Sequence, residues 1–363
     1  MAPRIVASGA HQERDPLSIP ARTLLLVVAI LAACPSAALA RDLAVVARDD
    51  AMSDALHHAL APAFAAASGI PLKIESWAGG TDALNAQLKA PDNAWDVVEV
   101  SPDELAAGCT AGLLEKLDWT TIGGKDHYLP QGISDCGVGA TVNTLVLAWD
   151  RQKFPAAPSW ADFWDVAKYP GKRGLRKGVR GNLEFALIAD GVAPADVYKV
   201  LGTSDGVERA FRKLDQLKPY IVWWQTRKEA VHILSSGDVL MTTAPAGQIV
   251  MADRNDHRNF GIQWTAGLYE VQSWAIVKAT PDLWQAEQFL YLAGMPALEG
   301  KLLETAGIAG LAKGANDGLP ADMQALSASY AKNLSVSVPI DNGFWHDNLA
   351  KLQRRFDTWL AAH

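Results

Sequence analysis

Hydrophobic positions along this chain alternate between two rhythms: short apolar runs bounded by polar or glycine-containing loops, and longer stretches with apolar residues three and four apart. The first rhythm predicts strands and the second predicts helices. Leu43–Ala47 reads as a strand ending at Arg48-Asp49-Asp50, and residues 53–68 follow with helical spacing. Residues 71–77 form a second strand, Thr81–Lys89 a helix, and residues 95–100 a buried strand. Ser101-Pro102-Asp103-Glu104 opens a further helix, with serine at the cap, proline at the first helical position and acids in the first turn, as the helix dipole favours. This alternation predicts a parallel α/β sheet. The loops at 48–50, 78–81 and 101–104 then sit at the carboxyl ends of strands, where open α/β sheets bind ligands.

The same rhythm continues in the second half. Residues 137–150 form a long apolar run able to cross between two lobes, and a helix starts at Ser159. Residues 171–184 are rich in glycine and cations, namely Lys172, Arg173, Arg176, Lys177 and Arg180, before an apolar helix over 183–189. Helices over 196–201, 205–217 and 229–235 alternate with strands over 220–224 and 238–242. Residues 261–277 contain two strand-like stretches around Gly267, and the rest is mainly helical, ending in an amphipathic helix over 348–361. No short tandem repeat is visible.

At the amino end a short charged region ends in Arg22, an apolar run covers 23–31, and small residues lead to Ala38-Leu39-Ala40, the A-x-A pattern of a signal-peptidase site. A membrane span needs about twenty uninterrupted apolar residues, so 1–40 reads as a cleaved signal peptide of a periplasmic protein. Leu31-Ala32-Ala33-Cys34 also fits a lipobox, which would leave Cys34 lipidated and the protein tethered to a membrane. The remaining residues suffice for one large or two medium domains. Hydrophobic content of 49% and charged content of 20% are those of a globular chain. A formal charge of −7 without a basic stripe argues against nucleic acid as a partner. Cys109 and Cys136 remain as an even pair in an oxidising compartment. They are expected to form a disulfide contributing roughly 3 to 4 kcal/mol; two separately buried thiols are the alternative.

Several segments in order along the mature chain resemble the spermidine/putrescine type of periplasmic substrate-binding protein that serves ABC importers. They are Ala94-Trp95-Asp96-Val97-Val98, Gly112-Leu113-Leu114-Glu115-Lys116-Leu117, Trp160-Ala161-Asp162-Phe163-Trp164-Asp165, Tyr169-Pro170-Gly171-Lys172-Arg173-Gly174, Ser236-Gly237-Asp238-Val239, Ser273-Trp274-Ala275-Ile276 and Pro339-Ile340-Asp341-Asn342-Gly343-Phe344-Trp345. The resemblance implies an α/β, two-lobed periplasmic binding protein fold, type II-like, with hinge strands between the lobes. It implies a monomer that closes on a small-molecule solute and docks on an inner-membrane ABC permease, with no cofactor and no catalysis. Lobe 1 is expected over 41–140 plus about 266–312, and lobe 2 over about 141–265 plus about 313–363.

The family pocket uses aromatic faces for methylenes and carboxylates for ammonium groups. This chain departs from it: Arg48-Asp49-Asp50 stands where the first aromatic is expected, Pro245-Ala246 replaces an aromatic-Asn pair, and Glu270-Val271-Gln272 replaces aromatic-x-Asp. Candidate ligand contacts are therefore Asp49, Asp50, Trp77, Ser101, Asp103, Glu104, Arg180, Trp224, Pro245, Tyr269, Glu270 and Gln272. Each has a simpler reading. Asp49, Asp50, Asp103 and Glu104 suit helix starts, Trp77 suits a core, and the cations around Arg180 suit a solvated face. If those cations point inward, the ligand carries an anionic group, and an amino acid or γ-amino acid fits acids on one lobe with Arg180 on the other. Strand alternation predicts Trp224 as a pocket wall with Trp223 in the core, and it places Glu270 and Gln272 on one face. The eight histidines lack metal-ligand spacing, and hydrolase and nucleotide fingerprints are absent. Two other classes stay open, an exported hydrolase using dispersed carboxylates such as Asp49 with Asp103, and a partner-binding sensor that has lost polyamine binding.

Overall fold

The computed structural model describes residues 41–48 and 50–362. The expected signal peptide, the A-x-A site, Cys34 and Asp49 lie outside the described residues. The described residues form one nine-stranded sheet in the order β2-β1-β3-β8-β4-β7-β5-β6, with β9 paired to β8. The strands are β1 (Leu43–Ala47), β2 (Leu72–Ser76), β3 (Val97–Val100), β4 (Val138–Asp150), β5 (Arg173–Arg176), β6 (Ile221–Trp224), β7 (Met241–Pro245), β8 (Phe260–Ile276) and β9 (Val338–Pro339).

The sheet is mixed, which corrects the all-parallel expectation. β1 runs parallel to β2 and β3, and β5 runs parallel to β6 and β7, whereas β8 is antiparallel to β3 and β4. Length explains the difference. β4 has 13 residues and β8 has 17, so at about 3.3 Å per residue each is long enough to serve both halves of the molecule. β4 leaves the first half to end beside β7, and β8 returns to end beside β3, so the pair must run in opposite directions. The two stretches expected around Gly267 are one strand. Its register slips there, β8 advancing from Gln263 to Leu268 while β4 moves only from Leu147 to Leu145, and Ala266 takes a positive φ of 57°. Such a slip re-aims the side chains beyond it.

The fold is two-lobed. One core gathers Leu43, Val45, Leu56, Phe64, Trp274 and Phe289, with a second apolar cluster of Val46, Leu84, Val98 and Leu114 on the other sheet face. The other lobe buries Trp160 stacked on Phe185 with ring centroids 3.8 Å apart, together with Leu183, Leu214, Trp345 and Phe356. The carboxy-terminal helix Asn342–Ala361 therefore packs into this second core, while Leu319, Met323 and Leu334 cluster with Val142, Leu303 and Leu311 beside the crossing strands. Behind the crossing strands the two halves touch backbone to backbone: a Cβ on Gly247 would lie 2.3 Å from the Gly307 carbonyl oxygen, so only glycine fits.

Strand β5 is absent from the hydrophobic pattern because it is short and carries two arginines. Arg173 is nonetheless fully buried. Its guanidinium donates to the carbonyls of Phe163 at 2.7 Å, Gly171 at 2.7 Å and Tyr169 at 2.8 Å, tying three turns together. Cys109 and Cys136 form a disulfide with Cα atoms 5.8 Å apart. It joins the end of helix Pro102–Thr110 to the chain just before β4.

Candidate functional site

Between the lobes lies a cavity of about 500 Å³. Its wall is drawn from the ends of β1, β5, β6 and β7, the starts of helices Thr81–Lys89, Pro102–Thr110 and Asn182–Ala189, and the middle of β4 and β8. This is the carboxyl-end geometry expected of an open α/β sheet.

On the first lobe Ser101 and Glu104 form a capping box, the Glu104 amide donating to Ser101 Oγ at 3.4 Å and the Ser101 amide to Glu104 Oε2 at 2.7 Å. The Gly80 amide donates to Glu104 Oε1 at 2.6 Å, and the Arg48 guanidinium is bound to Glu104 Oε2. Glu104 lines the cavity, yet its carboxylate is already engaged in holding two loops and an arginine. Burial raises its pKa, but the two backbone donors and Arg48 together outweigh that and hold it below the usual carboxylate range. Asp103 also lines the cavity, with Oδ2 3.7 Å from Nη1 of Arg180 on the opposite lobe.

Alternation along the crossing strands sorts the central wall. Leu268, Glu270 and Gln272 face the cavity with their β4 partners Leu145 and Asn143. Tyr269 and Val271 pack the other way, against the cluster of Val142 and Leu311. Tyr269 therefore does not line the cavity, because the period of two that puts Glu270 and Gln272 inside puts Tyr269 outside. Gln272 Nε2 donates to Glu270 Oε1 at 3.2 Å, which leaves the Gln272 Oε1 acceptor turned elsewhere. Among the described residues that buried oxygen has no hydrogen-bond partner.

The second lobe supplies cations. Arg180 Nη2 donates to Glu270 Oε2 at 3.0 Å and Asn342 Oδ1 at 2.6 Å. Its loop is anchored by the fully buried Glu184, which accepts from the Gly181 amide at 2.9 Å, the Tyr198 hydroxyl at 2.9 Å and Trp345 Nε1 at 2.8 Å. Burial pushes the Glu184 pKa up. Arg176, at the end of β5, reaches solvent within the cleft and makes no salt bridge among the described residues. The cleft walls lower its pKa, against the pull of Glu270, and Arg227 and Arg180 lower it further. Trp224 is 2% exposed and walls the cavity, while Trp223 packs on Phe356 and Trp359 as alternation requires. The buried Trp224 Nε1 has no acceptor among the described residues. Such an orphan donor costs roughly 1 to 3 kcal/mol until something accepts from it.

Ser101, Asp103, Glu104, Arg180, Trp224, Pro245, Glu270 and Gln272 thus meet at one cavity. Trp77 does not line it. Its Nε1 donates to the Glu99 carbonyl at 3.0 Å, its ring meets Trp95 edge-on, and the Arg48 guanidinium lies 5.6 Å from its centroid, between it and the cleft. Asp50 is the first residue of helix Asp50–Ala55. Arg48, Asn143, Arg176, Gln225 and Arg227 also line it. Of these, Arg48 and Arg176 carried a sequence signal, an arginine where an aromatic is expected and a cation beside a glycine-rich turn. Asn143, Gln225 and Arg227 carried none.

Two lobes joined by crossing strands around a polar, charged cavity define a solute receptor that closes on its ligand. The chain belongs to the bacterial extracellular solute-binding protein family, whose pattern matches residues 59–332. It is 41% identical over 279 residues, 77% of this chain and 79% of the other, to the gamma-aminobutyric acid-binding protein of Pseudomonas aeruginosa. Among solved structures it resembles a GABA receptor at a TM-score of 0.77 and 27% identity, covering 89% of this chain and 98% of that one. It also resembles the binding protein MotA of A. tumefaciens B6 in complex with glucopine, at a TM-score of 0.74, 26% identity, and 88% and 99% coverage. A spermidine/putrescine-binding protein from Streptococcus pneumoniae shares the fold at a TM-score of 0.72 and 17% identity, covering 88% of this chain and 99% of that one. The protein captures a small polar solute between its lobes and delivers it to an ABC importer.

Proposed function

We propose that the solute is a zwitterion of the γ-aminobutyrate class, taken up from the periplasm by a monomeric receptor that performs no chemistry on it. The observation that carries this reading is that one cavity holds both carboxylates and a cation, Arg176, that makes no salt bridge among the described residues. The Arg176 guanidinium, which lies beside the Trp224 wall, is a donor suited to a carboxylate. Glu270 and Asp103 are acceptors suited to an ammonium group. Contacts from both lobes and the crossing strands favour the closed state, so the ligand's differential contacts drive closure. The 41% identity to a gamma-aminobutyric acid-binding protein supports the same ligand class. Asp49, Asp50 and the leader join the proposal as expectations from sequence, with cleavage after Ala40 or lipidation at Cys34 as the two forms of export.

Isothermal titration with γ-aminobutyrate, 5-aminovalerate and putrescine tests the reading. The two ω-amino acids should bind one per chain. Arg176→Ala should weaken γ-aminobutyrate on the order of a hundredfold, about 2.7 kcal/mol, because it removes the charged partner of the carboxylate. No binding of either ω-amino acid, or an unchanged affinity in Arg176→Ala, would overturn it. Recovery of the ligand unchanged after prolonged incubation separates a receptor from the hydrolase reading.

A further inference from the structure

We propose that Arg48 is the specificity determinant that closes this cleft to diamines, by occupying Glu104, the carboxylate next to Asp103 on the first lobe that would otherwise receive a second ammonium group. The inference deepens the ω-amino acid reading and rests on it for the identity of the accepted ligand.

Glu104 points its carboxylate at the cavity from the start of helix Pro102–Thr110 and has three donors on it, the amides of Gly80 and Ser101 and the guanidinium of Arg48. The two amides fix its position, and Arg48, which lines the cavity with Gly80 and Ser101, is the donor that brings a charge. The surrounding loop is built for this guanidinium. Gly79 sits at a φ of 82°, and a Cβ there would lie 2.4 Å from Arg48 Nη2, so the turn closes directly over the arginine. The Trp77 ring supports it from the other side at 5.6 Å, and the Arg48 amide is held by Glu99 Oε2 at 3.0 Å. Arg48 is therefore a preorganised cation on the cavity wall. A ligand carrying ammonium groups at both ends would meet Arg176 and Arg180 on one lobe and Arg48 on the other, whereas an ω-amino acid presents one cation to Asp103 and Glu270 and one anion to the arginines.

The test uses the full mature chain and putrescine, whose binding is measured by titration and thermal shift independently of γ-aminobutyrate. Wild type should show no putrescine binding at millimolar concentration. Arg48→Gln should gain it by at least tenfold, because Glu104 recovers a free acceptor position. Arg48→Lys, which keeps the charge, should stay closed to putrescine. Arg48→Met, whose stem still packs on Trp77, gives the same reading as Arg48→Gln should the glutamine variant fold poorly. Putrescine binding by wild type or Arg48→Lys, or its continued absence in both neutral variants, overturns the proposal. Failure of wild type to bind γ-aminobutyrate tells instead against the ω-amino acid reading and leaves the Arg48 result to be judged on putrescine alone.

Discussion

Glu299→Gln is expected to remove a steep loss of stability between about pH 4.5 and pH 8. Glu299 is 2% exposed on helix Pro296–Ala306, and its Oε2 accepts from the Ala312 amide at 2.6 Å. Burial pushes its pKa up to about 8, against the opposing effect of the Ala312 and Leu311 amides. The folded protein thus keeps a proton that the unfolded chain releases near pH 4.5, so unfolding releases a proton throughout that window. Stability should fall by about 1.4 kcal/mol per pH unit as pH rises through it, approaching 5 kcal/mol at the top, and then level off. The glutamine keeps an acceptor for the Ala312 amide without the charge. Urea unfolding at pH 5, 6.5 and 8 should give a much steeper decline for wild type than for the variant. Glu184, also buried with a raised pKa, contributes to both proteins, so the difference between their slopes isolates Glu299. Equal slopes would refute the assignment.

Removing the disulfide should cost nearly as much. The bridge closes a separation of 27 residues, for which the chain-entropy model gives roughly 3 to 4 kcal/mol. Cys109→Ser with Cys136→Ser should lower the midpoint of urea unfolding accordingly, with the slope against denaturant reporting any change in the unfolded chain. The bridge also ties the helix that carries Asp103 and Glu104 to the chain just before a crossing strand. Ligand affinity should therefore fall as well, because the two walls of the cavity lose a covalent link. Unchanged stability in the double variant would contradict the expected contribution.

The individual elements were legible because their signals are local. β1 and helix Thr81–Lys89 match the hydrophobic pattern residue for residue, and the Ser101 capping box follows from four consecutive residues. β5 was not legible, because its register depends on Gly174 fitting against Thr242 and on Arg173 finding carbonyls contributed by the segment before it. Strand alternation correctly separated Trp223 from Trp224 and paired Glu270 with Gln272. It also implied that Tyr269 faces the other way, which the hinge-side candidacy of Tyr269 overlooked.

By itself the sequence determined the α/β class and the pair of cysteines able to bridge, since both rest on residue type and short-range spacing, while the two lobes and the departure from a polyamine pocket at Arg48, Pro245 and Glu270 follow from the family resemblance. The tertiary structure alone decided the mixed direction of the sheet and which charges neutralise one another. Glu104 is consumed by Arg48 and two amides, Arg180 is shared among Asp103, Glu270 and Asn342, and Arg176 remains without a salt bridge among the described residues. These pairings join residues as many as 162 positions apart, and the interaction of two charges depends on their distance and surroundings in space, which spacing along the chain does not contain.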